Sequence, residues 1–141
     1  MKSVVFDTNV LLDLFVFNDF RALHLKEVLL ESKIDALASR ATIKELADVI
    51  SRPLFSLEPE VQAQIISQWR TITRVVEDSS LLKAPWQCQD KDDQVFVDLA
   101  FTAKPCFLIS KDNEVLKLAS RAAKEHITIT ADYNNPKLLA L

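Results

Sequence analysis

Four acidic residues sit where the sequence changes character. Asp7 closes the apolar run Val4-Val5-Phe6, and Glu45 falls in the first turns of a helical segment. Asp93, with Asp90 and Asp92 beside it, opens a second such segment, and Asp112 follows the run Cys106-Phe107-Leu108-Ile109. Carboxylates so placed have two uses. They cap helix N-termini, accepting backbone N–H groups and complementing the helix dipole. They also hold hard divalent cations such as Mg²⁺ or Mn²⁺, which take oxygen ligands and keep several waters. Thr42-x-x-Glu45 reads as a capping box, either Asp90 or Asp92 suits the N-cap of the second segment, and Asp112 suits that of the helix Glu114–Lys124. Taken singly, the acids leave both readings open.

The elements that carry them favour a shared location. Apolar runs predict strands over Ser3–Phe6, Ile34–Ala38, Thr73–Val76, Cys106–Ile109 and Ile127–Ile129. Helical spacing predicts helices over Val10–Phe15, Asp19–Glu31, Ala41–Ser51, Pro59–Trp69, Asp92–Ala103 and Glu114–Lys124, with a terminal turn at Pro136–Leu141. Strands separated by helices imply βαβ units and a parallel sheet covered on both faces. In such a sheet the strand C-termini and the following helix N-termini share one edge, where ligands bind. Asp7, Asp112, Asp93 and Glu45 all fall at ends of that kind. Carboxylates gathered there repel one another unless a cation neutralises them. Glu45 lies off the Ile43-Leu46-Ala47-Ile50 stripe, so spacing alone does not aim it at the edge.

Composition removes several other classes. The chain has 141 residues, 49% hydrophobic and 26% charged, which fits one globular domain spanning residues 1–141. With a net charge of −3, bulk electrostatics do not draw it to polyanions, so any phosphate chemistry needs local cations or a bound metal. There is no glycine, which excludes a P-loop and a dinucleotide fingerprint. The two cysteines suggest neither a disulfide framework nor a zinc site, and no signal peptide or membrane span is read. A reduced, cytoplasmic protein is expected.

Four segments in register then resemble the PIN-domain family, in its small stand-alone form found as the toxin of prokaryotic toxin–antitoxin pairs. They are VVFDTNVLL at Val4–Leu12, ATIKELADVI at Ala41–Ile50, CQDKDDQVFVDLA at Cys88–Ala100 and FLISKD at Phe107–Asp112. The resemblance implies a three-layer α/β/α sandwich with a mainly parallel five-stranded sheet. It implies Mg²⁺- or Mn²⁺-dependent endonucleolytic cleavage of RNA. It carries the metal-binding acids onto Asp7, Glu45, Asp93 and Asp112, with Thr8, Asn9 and Ser110 in support. Lys91 stands where relatives often have proline, Gln94 and Val95 replace a more polar pair, and Lys111 replaces a frequent glycine. An antitoxin protein and a homodimer are the partners it implies, with no membrane.

Arg40 and Lys44 beside Glu45, and Lys111 beside Asp112, are the candidate RNA-binding cations. Lys117, Arg121 and Lys124 form a further stripe, which reads more simply as a solvated helix face. His24 and His126, in a helix and at a strand start, do not read as catalytic bases. A phosphatase of the haloacid-dehalogenase type would need an acid at position 9, where Asn9 stands. The remaining alternative is a catalytically inactive PIN-like module that binds RNA or protein. Leu54, Phe55 and Leu57 suit either a dimer face or a local core cluster.

Overall fold

A computed structural model describes residues 1–140; Leu141, the last residue of the expected terminal turn, lies outside the described residues. The strands are β1 (Ser3–Phe6), β2 (Asp35–Ser39), β3 (Arg74–Val76), β4 (Cys106–Ile109) and β5 (Ile127–Thr130). They form one sheet in the order β3-β2-β1-β4-β5, and every pairing is parallel. The helices are α1 (Thr8–Phe15), α2 (Leu23–Leu30), α3 (Arg40–Ile50), α4 (Pro59–Ile72), α5 (Gln94–Thr102), α6 (Asn113–Leu116), α7 (Ala119–Ala123) and α8 (Pro136–Leu139).

Alternation along each strand divides the core in two. Val4 and Phe6 on β1, Ala36 and Ala38 on β2, and Ile109 on β4 join the cluster under α1 to α4. Their neighbours Val5, Leu37 and Leu108 point the other way, into a cluster with α5, α6 and α7. Side chains alternate faces at every residue, so a central strand buried on both sides must be apolar throughout. The result is the three-layer α/β/α sandwich expected from the sequence.

This strand order fixes where a site can form. The chain leaves β1 towards β2 and β3, then returns to the other flank of β1 as β4 and β5. Connections therefore diverge beyond the C-terminal ends of β1 and β4, opening a crevice at that switch point. Asp7 directly follows β1, and Ser110-Lys111-Asp112 directly follows β4.

Several local expectations are corrected. The capping box of α3 joins Ser39 and Thr42, one turn earlier than Thr42 and Glu45, which frees the Glu45 carboxylate. Neither Asp90 nor Asp92 caps α5; Asp90 Oδ1 instead accepts the Asp92 N–H at 2.9 Å, in a turn ending at Asp93. The predicted helix over Asp19–Glu31 starts as a 3₁₀ turn, Phe20–Ala22, before α2. That over Glu114–Lys124 breaks at Lys117-Leu118 into α6 and α7, and Lys117 pairs with Glu114 at 2.8 Å. Leu54 is exposed, whereas Phe55 and Leu57 pack against the α1–α4 core. Without glycine, left-handed backbone falls to Asn18, Ser32, Ser56 and His126, with φ from 48° to 63°. Each such residue costs about 1 kcal/mol or more.

Candidate metal centre

Asp7 is held from both sides of the crevice. Its N–H donates to the Ile109 carbonyl at 3.1 Å, extending the β1–β4 ladder by one residue. Oδ1 accepts the Val10 N–H at 3.0 Å as the N-cap of α1, and Oδ2 accepts the Ser110 hydroxyl. Ser110 is fully buried, and its Oγ in turn accepts the Asp112 N–H at 3.1 Å. Asp112 caps α6 through Oδ1, which accepts the Glu114 N–H at 2.8 Å. For Asp7 and Asp112, capping therefore sets the carboxylate's orientation and leaves lone pairs for a further partner.

Asp93 differs. It precedes α5 but caps nothing with its side chain. Its carboxylate instead joins those of Asp90 and Asp112, each offering an oxygen within 4.8 Å of the others. Burial first, then the adjoining Asp112 carboxyl, then Asp90 and Asp7, push Asp93 up to about 7. Asp7 is also raised, by burial above all, against the opposing pull of the Ser110 and Val10 hydrogen bonds. Carboxyl groups held up in this way are short of positive charge.

Asp90 is the member that sequence reading placed only as a cap. Its segment is drawn in by α5: Gln94 Oε1 accepts the Cys88 N–H at 2.5 Å, and Gln94 Nε2 donates to the Trp86 carbonyl at 3.1 Å. Asp98 Oδ1 accepts from Gln94 Nε2 and from the Ala84 N–H, both at 2.9 Å. The spacing of Gln94 and Asp98, one helical turn apart on the face towards that loop, was the available signal.

Glu45 projects from α3 and is raised by burial, with the charges of Asp92, Asp7 and Asp90 adding to the effect. The Thr8 hydroxyl beside it favours the ionised form. Thr8 is 8% exposed, and its Oγ1 is buried without a hydrogen bond of normal geometry to any described residue. Asn9 is exposed at the start of α1. Arg40 and Lys44 are exposed on α3. Lys111 Nζ pairs with Asp13 at 2.6 Å.

The structure thus brings Asp93 and Asp112 together with Asp90, links Asp7 to Asp112 through Ser110, and sets Glu45 and Thr8 alongside. An all-oxygen donor set, carboxyl groups deprived of charge compensation and an orphaned hydroxyl fit a hard divalent cation such as Mg²⁺ or Mn²⁺. A family model described as PIN domain matches residues 3–114, a span that includes every one of these groups. No curated protein matches the chain.

Proposed function

Because this chain belongs to the PIN-domain family, whose members are generally metal-dependent nucleases, we propose that it is a divalent-metal-dependent endoribonuclease and the toxin of a toxin–antitoxin pair. The observation that carries this reading is the approach of Asp90, Asp93 and Asp112 to within 4.8 Å at the switch point of the sheet. Asp7, Asp93, Asp112 and Glu45, joined by Asp90, are the residues that would hold Mg²⁺ or Mn²⁺. When bound, such an ion lowers the pKa of a coordinated water and stabilises charge on the phosphoryl oxygens.

This chain's own residues supply position and field. Ser110 fixes the Asp7 carboxylate, and the Asp112 N–H fixes Ser110 in turn. Buried Thr8 offers a hydroxyl beside Glu45 for a water or a substrate oxygen. No nucleophilic side chain is needed, because water is the attacking group.

An antitoxin partner, a homodimer and a cytoplasmic location belong to the same proposal. Among the described residues, no helix is long and apolar enough to cross a membrane.

The test is single-turnover cleavage of end-labelled RNA in Mn²⁺. Asparagine is a good N-cap that keeps one oxygen for the Val10 N–H and turns its amide NH₂ to the Ser110 hydroxyl oxygen, so Asp7→Asn should fold. It should cleave at least about a hundred-fold more slowly, since the metal's stabilisation of transition-state charge amounts to several kcal/mol. Equal rates in the variant and the wild type would defeat the catalytic assignment of Asp7, and a wild type that binds RNA without cleaving it would leave the inactive binding module as the better reading.

A further inference from the structure

Asp13 lies six residues after Asp7, the N-cap of α1, a span of about 9 Å along a helix. Two consecutive residues at the exit of β4 reach these two acids. The Ser110 hydroxyl donates to Asp7 Oδ2, and Lys111 Nζ pairs with Asp13 Oδ2 at 2.6 Å. The Tyr133 hydroxyl, from the connection after β5, donates to the same Asp13 oxygen. The exit of β4 is thus laid along α1 and fastened at two points, and Asp112 is the next residue.

Asp112 is otherwise held by short-range bonds. Its carboxylate caps α6, but α6 is a single turn, Asn113–Leu116, and one turn of helix is a weak support. Its N–H donates to Ser110 Oγ at 3.1 Å. A tether at Ser110 alone leaves the chain free to pivot there, and a second at Lys111 removes that freedom. Stability is a weak reason for the second tether. A buried group of carboxylate, ammonium and phenol gains little over well-packed apolar side chains of the same volume. Its hydrogen bonds, by contrast, fix direction and distance. Arg21 shares a hollow of about 220 Å³ with Lys111 and Tyr133, but its guanidinium pairs with Asp19 at 2.6 Å.

We propose that Asp13 and Tyr133 are positioning residues of the metal centre, which through Lys111 fix the exit of β4 along α1 and so aim the Asp112 carboxylate towards those of Asp90 and Asp93. The inference rests on the metal-dependent reading and extends it to residues outside the acid cluster. Lys111, a candidate RNA-binding cation from its place beside Asp112, instead has its ammonium committed within the fold.

Calorimetric titration of metal-free protein with Mn²⁺ separates a tether from a field. Lys111→Met removes a positive charge beside the acids and Asp13→Asn a negative one. Electrostatics alone would tighten Mn²⁺ binding in the first and weaken it in the second. Loss of a tether weakens it in both, by about ten-fold, the lower end of what groups orienting metal ligands contribute. Tyr133→Phe changes no charge and should weaken binding by about three-fold, since a neutral hydrogen bond is worth less than the ion pair. Lys111→Arg, which keeps a cation within reach of Asp13, should bind as wild type does. The double variant Asp13→Asn/Lys111→Met should lose no more than the worse single, because both cut one tether. Should Lys111→Met fail to fold, Tyr133→Phe decides, because it leaves every charge in place.

Cleavage of unstructured RNA at saturating Mn²⁺ tests the other use of Lys111. A phosphate contact would lower the salt slope of half-saturation by about 0.7 in Lys111→Met, whereas the slope should stay at its wild-type value. Opposite shifts in Lys111→Met and Asp13→Asn, unchanged Mn²⁺ affinity in Tyr133→Phe, or a lowered salt slope with intact Mn²⁺ affinity in Lys111→Met would each overturn the positioning assignment. A wild type that binds no Mn²⁺ overturns the metal centre and this inference together. One that binds Mn²⁺ but cleaves no RNA overturns the ribonuclease reading, and the titrations still decide the positioning.

Discussion

Lys111 Nζ lies 2.6 Å from Asp13 Oδ2, and the Tyr133 hydroxyl donates to that same oxygen at 2.5 Å. The three residues come from α1, from the connection after β4 and from the connection after β5. Asp13 is 4% exposed, whereas the Lys111 side chain is 39% exposed. That asymmetry decides which substitution costs more. In Lys111→Met a buried carboxylate keeps only a phenol, and burial together with Asp13 already raises the Tyr133 pKa, so the phenol cannot supply charge. In Asp13→Asn the freed ammonium can turn into water. Lys111→Met should therefore destabilise by about 2–3 kcal/mol and Asp13→Asn by about 1 kcal/mol, read from urea unfolding at pH 7. The opposite ranking would show that the carboxylate reaches solvent by another route.

Asp93 predicts how metal-free stability changes with pH. Its carboxyl titrates near 7 in the fold, against about 3.9 in an unfolded chain. Between those values the folded protein keeps a proton that the unfolded chain has released. Stability therefore falls as pH rises through that window and levels off above it. Asp7 and Glu45, both raised, add the same sign. The bare shift is worth about 4 kcal/mol, but Asp93 is partly exposed, and solvent screening reduces this to about 1–2 kcal/mol. In EDTA the urea midpoint should drop between pH 5 and pH 8, and Asp93→Asn should flatten the drop. Mn²⁺ should reverse it, since the ion needs the ionised carboxylate and releases its proton on binding. A midpoint that still drops in saturating Mn²⁺ would exclude Asp93 as a ligand.

Ser110 joins the two strand-end acids, and its removal separates positioning from ligation. Ser110→Ala leaves Asp7 Oδ2 and the Asp112 N–H without their shared partner, at a cost of about 1–3 kcal/mol. Groups that orient metal ligands typically contribute about 10–100-fold in metal affinity. Titration with Mn²⁺ should show a loss of that size in Ser110→Ala and its recovery in Ser110→Thr, which restores the hydroxyl. A loss of stability without a loss of affinity would make Ser110 a packing residue only.

What could be read from the sequence follows the range of the interactions involved. Asp7 and Asp112 were legible because a strand that ends at an acid is a local pattern, and the parallel sheet then brings such ends to one edge. Asp90 was not legible as a site member. It lies in a segment without periodicity, drawn in by Gln94 and Asp98 through loop contacts that leave no mark on hydrophobic spacing. Asp13 stood hidden inside the apolar run Val10–Phe15, because the partners that justify its burial lie 98 and 120 residues away. The aim of Glu45 was left open by its spacing. It depended on where the α3 cap fell, and Ser39 and Thr42 placed that cap earlier than Thr42 and Glu45 would have.

Thr8 gives the sharpest separation between folding and function. Its buried hydroxyl lacks a partner of normal geometry among the described residues, and a buried hydroxyl left unpaired costs about 1–3 kcal/mol. Valine has nearly the same shape without that penalty. In EDTA, Thr8→Val should be as stable as wild type or more so, by up to about 1–2 kcal/mol in urea unfolding. If the hydroxyl serves an ion's water or the substrate, the same variant should bind Mn²⁺ or cleave RNA several-fold less well. A residue kept for packing would move stability and activity in one direction. If an ion's water or the substrate completes that hydroxyl, one of the causes that leave a buried polar group without a protein partner, the two should move in opposite directions. Thr8→Ser separates hydroxyl from shape: it keeps the oxygen, so activity should return while the stability gained by valine disappears.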